Sequence, residues 1–499
     1  MGSLSEQNPS LWVGTTDGTD YPALPGELRA EVVIIGAGVT GLTAARLLVE
    51  DGASVIVLEA GRICSGATGY TTAKITSLHG LIYTEIADKF DEERAQLYGA
   101  ANQAAIETVA RLVAEDEIDC QFERRPHIAY STDAGSVDKI RREVEIAQRI
   151  GLPATFEVPG ELPYDVAGAV RFDDQAQFHP RAYCLALAAA VTTQGGQIFE
   201  HTRARHVDGD ERVVVTEHGE VRANAIVVAT HLPFKEMGGY LARAEATRSY
   251  AMAVTVDGDR PGGMYISVDS PTRSLRTSGE YLIVGGEGHK VGTEHDTGQR
   301  YDALESWARQ HFAVASVDCR WSAQDWASAD GMPYIGRMAG YGENVWVATC
   351  FKKWGMANGT AAGMILTDLI GGRENPWLDA FDATRLTPKQ SLKGAISDNV
   401  QAVKHFVGDR IDAQSAPKID ELQPGHGAIV DLEDDTVAAF RDDDGTIHAV
   451  SAVCTHLGCR VSFNAAERSW DCPCHGSRFG TDGRVIEGPA VDDLARREA

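Results

Sequence analysis

The sequence predicts an α/β domain at the front of the chain, a β-rich portion inserted into it, and a small all-β domain at the tail. Three observations carry this. Residues 31–59 run strand, glycine loop, helix, strand; alternating apolar runs fill much of 117–327; and from about residue 419 short strands and turns surround two loops rich in cysteine and histidine. At 499 residues the chain exceeds one ordinary core and implies two or three domains.

The front element is "EVVIIGAGVTGLTAARLLVEDGASVIVLEA". Glu31 to Ile35 reads as a strand and leads at once into Gly36-x-Gly38-x-x-Gly41. A helix to about Glu50 follows, then a strand from Ser54 to Leu58 that ends at Glu59. The glycines permit a tight turn, close approach of backbone to a pyrophosphate, and close helix–strand packing. The helix N-terminus offers free N–H groups and partial positive charge to phosphates. Glu59 is placed to bind a ribose 2′-hydroxyl. The motif alone leaves FAD and NAD both open, and a single fingerprint implies one bound dinucleotide.

Later segments return to the same sheet. "ANAIVVATHLPF" reads as a strand ending at Ala229 and Thr230. "NVWVATC" is another strand, and "FKKWGMANGTAAGMILTDLI" is a small-residue helix starting near Gly355. Small residues there allow close approach to something planar or charged, and the helix N-terminus favours negative charge.

These segments carry a resemblance. From about Ser10 to Phe381 the chain resembles the D-amino-acid-oxidase-like flavoproteins, which include glycine oxidase and sarcosine oxidase, on its fingerprint, "SGATGYTTAKIT", the VVAT strand and the GM…G…LI ending. The resemblance implies FAD in a Rossmann-like domain built from about 28–116, 182–234 and 328–386. It also implies an antiparallel-sheet substrate domain from about 117–181 and 235–327, where "GGMYISVD" and "YLIVGGEGHKVG" suit strands. Arg62, Ser65, Thr71, Thr72, Ala73 and Lys74 then look like FAD contacts, Ala204 an adenine-side position, and Gly355, Met356 and Thr360 contacts to the flavin end. No covalent flavin attachment is assigned; Tyr70 and Cys350 stand near the relevant segments.

The substrate side is poorly marked. Lys74, His79, His289, Lys290, Lys353 and Trp354 are the residues near the expected flavin, and a lone histidine or lysine is more often structural. His289, read as lying in a glycine-flanked turn, Lys353 and Trp354 are the candidate catalytic residues. The resemblance implies hydride transfer from a C–H, usually alpha to nitrogen, directly to the flavin. Such a step needs an oriented neutral amine more than a strong base.

At the tail, residues 387–418 read as a partly helical, proline-bearing linker, and 419–499 as a β domain small enough to gain from a metal staple. Cys454-Thr-His456-Leu-Gly-Cys459 and Cys472-Pro-Cys474-His475-Gly-Ser477 are its two loops. Zinc sites are commonly built on CxxC knuckles, and neither loop has one. Each has a cysteine, a histidine two or three residues on, and an extra cysteine, which is similar to the Rieske domain with its [2Fe–2S] cluster. The resemblance implies Cys454 and Cys472 on one iron, His456 and His475 on the other, and a disulfide between Cys459 and Cys474. Ser477 matches a position that hydrogen-bonds a cluster sulfur in high-potential members, while Phe479 stands where those carry tyrosine. The expected potential therefore lies below the top of a range of roughly −150 to +300 mV.

Together the two parts are similar to a bacterial group of such flavoproteins with a C-terminal Rieske domain, with "TTAKIT" and "KWGMANGT" among its motifs. That implies oxidation of an amine-like small molecule, with electrons leaving singly to an acceptor protein or quinone. An electron-transfer module serving a partner, or an oxidase using O₂ with a structural cluster, are the alternatives. A net charge of −26 argues against nucleic acid and anionic membranes as partners. No apolar run approaches the roughly 18 residues of a membrane span. With no leader pattern in the first 27 residues, a cytoplasmic location is the expectation.

Overall fold

The computed structural model describes residues 8–385 apart from 236 and 293–295, and residues 418–498 apart from 433–434. The helix expected within 388–410 lies outside the described residues.

Strand Leu28–Ile35 is the spine of the first sheet. Its second half is buried on both faces, as a parallel strand covered by helices must be. It pairs in parallel with Val55–Leu58 on one side and Glu220–Val228 on the other. The sheet is completed by Gln197–Phe199, Val345–Thr349 and the antiparallel edge Tyr334–Arg337, with Val213–Thr216 and Ala204–Asp208 continuing from Glu220–Val228. Helix Val39–Glu50 makes the crossover between the first two strands and packs on the small-residue helix Gly355–Ile370. Both helices begin at the carboxyl ends of strands, so their N-termini open on one side of the sheet, the side where such folds bind ligands.

The inserted segments, with the short strand Lys74–Ile75 from the first part of the chain at one edge, build a nine-stranded sheet, in which Ala154–Glu157 pairs with Gly168–Gln177. Its longest strands, Ala244–Val256 and Val314–Ser328, pair antiparallel along most of their length. The one parallel pairing joins Met264–Ser267 to Glu123–Ser131. Tyr281–Lys290 pairs with Ala244–Val256, and this pairing carries His289 within a strand opposite Arg248. The glycine-flanked turn expected at His289 is therefore extended strand, because cross-strand hydrogen bonding outweighs the local glycine preference.

The tail folds as a three-stranded sheet (Gly427–Leu432, Asp435–Arg441, Ile447–Ser451) and a four-stranded sheet (Ser462–Asn464, Ser469–Asp471, Arg478–Gly480, Val485–Glu487), all antiparallel. Trp470, Phe479 and Phe440 fill its core against Cys454, Cys459 and Cys472.

This small domain sits on the rest of the chain through buried polar contacts. Arg248 Nη1 meets Asp471 Oδ2 at 2.7 Å, with the arginine side chain 3% exposed. Tyr301 Oη donates to Glu467 at 2.6 Å, Thr297 Oγ1 to Asn464 at 2.6 Å, and Gln324 Nε2 to the carbonyl of Gly476 at 2.9 Å. Burial alone would raise the Asp471 pKa, but Arg248 and Arg478 outweigh it and hold the carboxyl well below the usual range. Replacing Arg248 by methionine should therefore lower stability by about 3 kcal/mol, since Asp471 loses a buried partner. Urea unfolding of the full-length protein measures it, and an unchanged midpoint would contradict the assignment.

Candidate active site and cluster site

A cleft of about 1350 Å³ runs along the open side of the first sheet and is walled by all three parts of the chain. At its floor Gly36 adopts φ +107°, and a Cβ there would stand 2.5 Å from the carbonyl oxygen of Ala229. Only glycine fits where the ends of the two parallel strands lie so close. Helix Val39–Glu50 starts at Gly38 without a side-chain cap from that residue. Its first amide, that of Val39, donates to Thr68 Oγ1 at 3.2 Å, and the helix N-terminus presents its partial positive charge to the cleft, as a pyrophosphate requires. Glu59 accepts from the amides of Ala37 and Gly61, both at 2.8 Å, which ties the second strand's end to the glycine loop. Burial raises its pKa against those hydrogen bonds and the nearby Arg203.

Of the residues expected to hold the dinucleotide, Gly36, Gly38, Glu59, Ser65, Thr71, Thr72, Lys74, Ala204, Ala229, Thr230, Gly355 and Met356 line this cleft. Gly41, Arg62, Ala73 and Thr360 do not. A Cβ on Gly41 would meet the Gly36 carbonyl, Ala73 is fully buried, and the Thr360 hydroxyl donates to the Met356 carbonyl within its own helix. Arg62 is exposed.

Lys353 and Trp354 also line the cleft. Lys353 Nζ is close to Gly288, where a Cβ would be 3.0 Å away. The Trp354 ring stacks on His79, centroids 4.5 Å apart, with His127 edge-on at 5.8 Å. His79 Nε2 lies 2.7 Å from the Thr76 carbonyl and so must donate; Nδ1 then accepts from the Tyr98 hydroxyl at 2.5 Å. Burial pushes His79 down to about 3 and holds His127 well below the usual imidazole range, so both are neutral supports for Trp354. His289 is not among the lining residues. Its ring stacks on Tyr250, whose hydroxyl it meets at 2.9 Å, and its Nδ1 reaches the Lys290 carbonyl. Lys74 Nζ donates to the Tyr265 carbonyl at 2.8 Å and to Ser274, and burial, then Arg276, pushes it down to about 7.

The two tail loops share one geometry. The amide of Cys454 donates to the Cys459 carbonyl and that of Gly458 to the Cys454 carbonyl; Cys472 with Ser477 and Gly476 with Cys472 repeat the pattern. Gly458 and Gly476 turn the chain at φ +77° and +69°, a region that favours glycine. The repeat brings the Cys454 and Cys472 thiols into hydrogen-bond contact and sets the His456 and His475 rings 5.2 Å apart at 86°. Cys459 and Cys474 form a disulfide that ties the loops. Their sulfurs and that of Cys472 lie within 4.8 Å of one another, but two of the three are bonded together and leave one thiol as ligand. Two thiols and two imidazoles, with His456 held neutral by burial at about 4, fit a cluster with mixed ligands and not a four-thiolate site. Ser477 Oγ accepts from the Ala490 amide at 3.1 Å and hydrogen-bonds the Cys454 thiol, while Phe479 is fully buried in the small domain's core.

Sequence reasoning missed His231. It directly follows Ala229-Thr230, and its ring joins Asp325 at 2.8 Å to Glu487 of the tail at 3.4 Å. Position at a strand's carboxyl end was the available signal; nothing local marks Glu487 as its partner. Burial lowers the imidazolium's pKa, but the two carboxylates outweigh burial and raise it to about 10.

Cleft and loops together define a dinucleotide-dependent redox protein with a fused iron–sulfur domain. The chain belongs to the FAD dependent oxidoreductase family, whose sequence profile matches residues 31–369, and it carries a Rieske [2Fe–2S] domain matched over 413–497. Its cofactors are FAD and a Rieske-type [2Fe–2S] cluster. Over 496 residues it is 36% identical to YhfW of Bacillus subtilis (strain 168), covering 98% of this chain and 97% of that one; the name of that protein calls it a Rieske 2Fe-2S iron-sulfur protein. Among solved structures, glycine oxidase from Geobacillus kaustophilus has a TM-score of 0.60 at 19% identity, covering 72% of this chain and 100% of that one. L-amino acid deaminase from Proteus myxofaciens has 0.61 at 17%, covering 75% and 97%. These two likenesses establish the fold. No helix among the described residues is long and apolar enough to cross a membrane.

His231 yields a pH prediction. Its folded pKa lies above the unfolded value of about 6.5, so its stabilisation is complete below that value and is lost as pH rises toward about 10. Between pH 7 and 10 the wild type should lose at most about 3 kcal/mol more than His231→Gln, measured by urea titrations at each pH. Parallel pH curves for the two would refute it.

Proposed function

We propose that this protein oxidises an amine or amino-acid-like substrate by hydride transfer to FAD, and that the electrons leave one at a time through the fused cluster to an external acceptor. Flavin supplies the conversion, accepting two electrons together and releasing them singly. The reading rests chiefly on strand Val314–Ser328. Ala323, Gln324 and Asp325 line the cleft, and the Gln324 amide also donates to Gly476, beside the ligand His475. One strand thus separates the cleft from a cluster loop.

The chain's own residues have defined tasks in this reading. Trp354, backed by the neutral His79 and His127, gives the cleft a rigid aromatic wall against which a small substrate is oriented. Lys74, its pKa near neutrality and two of its N–H bonds donated, keeps a lone pair on Nζ to take a proton from a substrate ammonium. The disulfide and paired loops hold the four cluster ligands.

Anaerobic mixing with a panel of amines and amino acids should bleach the flavin band in both the wild type and Cys454→Ser. The variant should lack the cluster's visible and EPR signals and reduce a one-electron acceptor at least about 10-fold more slowly. Full-rate acceptor reduction without the cluster sinks the relay, full-rate turnover with O₂ points to an oxidase, and no bleaching by any substrate points to a module that serves a partner. For Lys74→Met, the limb of the kcat/KM pH profile near 7 should disappear; its persistence would remove Lys74 from proton transfer.

A further inference from the structure

The cleft that holds the glycine loop is not closed by the dinucleotide domain itself. Val485, Ile486, Glu487, Gly488, Ala490 and Val491, all from the small tail domain, line it together with Gly36, Glu59 and Ala229. This segment is seated, not merely adjacent. Val491 is 6% exposed and packs in the same core cluster as Ile35, Leu58 and Val228 of the first sheet. Three side chains beside the dinucleotide strands grip its backbone and flanks. Arg203 donates to the Val485 carbonyl at 3.2 Å, Arg205 donates to the Val491 carbonyl and pairs with Asp492 at 2.9 Å, and His231 bridges to Glu487. From within the tail, the Asp493 carboxylate accepts from the Val485 amide and the Leu494 amide donates to the Gly483 carbonyl, which fix the segment's own shape.

We propose that residues 485–491 form the closing wall of the dinucleotide site, so that the cluster domain retains FAD and its release requires this segment to lift away. Arg203, Arg205 and His231 are the positioning residues. The segment also connects directly to the cluster loop, since the Ala490 amide donates to Ser477 Oγ. Retention of one cofactor is thereby joined to the folded state of the other's binding loop. The inference concerns cofactor retention and does not depend on which way electrons flow.

The test is FAD dissociation from full-length holoenzyme, followed as free-flavin fluorescence after dilution, with cluster content read in parallel by EPR. Arg205→Ala should release FAD about tenfold faster with the cluster signal intact, because losses at an interface appear mainly in the off-rate. Glu487→Gln, close in shape and keeping the fold, should release it faster by a smaller factor. Asp444→Asn, in a surface turn of the same domain bonded to Thr446, should match the wild type. Off-rates of Arg205→Ala and Glu487→Gln within about twofold of the wild type would overturn the proposal. So would equal acceleration by Asp444→Asn, which would mark a general loosening of the tail domain. If Arg205→Ala does not fold, Glu487→Gln decides alone.

Discussion

The ion pair between Arg248 and Asp471 is the contact on which the relation between the two redox sites depends. Arg248 comes from the long strand Ala244–Val256, second from one edge of the nine-stranded sheet, and Asp471 immediately precedes Cys472 of a cluster loop. Both charges are removed from water, a loss that only close geometry and further hydrogen bonds offset. Asp471 has them: Arg478 from one side, Asn464 at 2.8 Å from the other. A buried pair of this kind adds little net stability, yet its removal on one side leaves a charge without compensation. It therefore specifies where the small domain sits more than how firmly. With that position set, Gln324 meets Gly476 and His231 meets Glu487 without further adjustment of the backbone.

Two different uses of histidine follow from what surrounds each ring. His79 and His127 lie among aromatic and hydroxyl groups with no carboxylate among the causes that shift them, so burial, helped by Lys352 at His79 and by Lys74 at His127, keeps them neutral. His231 is buried as well, but between two carboxylates, and the same burial that penalises an isolated charge strengthens both attractions. The neutral pair suits packing beneath a tryptophan. The charged ring suits a bridge between separate parts of the chain. Burial sets the size of the effect and the neighbours set its sign.

Legibility in the sequence followed the range of the interaction. The glycine loop and Glu59 were readable because strand, turn and helix lie within thirty or so residues and obey local rules, and the structure lines the cleft with nearly all of that segment's expected residues. The cluster loops were readable for a related reason: in each, cysteine and histidine stand two or three residues apart, and each loop closes on its own backbone. His289 misled because its flanking glycines look like a turn, whereas pairing with a strand forty residues earlier holds it extended. Arg248, Gln324, His231 and Glu487 carried no local mark at all. Each matters through a partner between about ninety and two hundred and sixty residues away, a separation at which neither periodicity nor turn chemistry has anything to say.

That division also explains why the protein can join two chemistries. Each binding loop is tied within its own part of the chain: the dinucleotide loop by Glu59, the cluster loops by their disulfide and twin turns. Neither needs the other to acquire its local shape. What joins them is a set of buried polar contacts, two of them from within the long strands Ala244–Val256 and Val314–Ser328, together with the apolar seat of Val491. The buried groups in that set leave the small domain few alternative seats, because any other would strand the buried Arg248 without Asp471, while Asp471 keeps Arg478 and His231 keeps Asp325. With that seat, the single strand Val314–Ser328 lies between the cleft and a cluster loop.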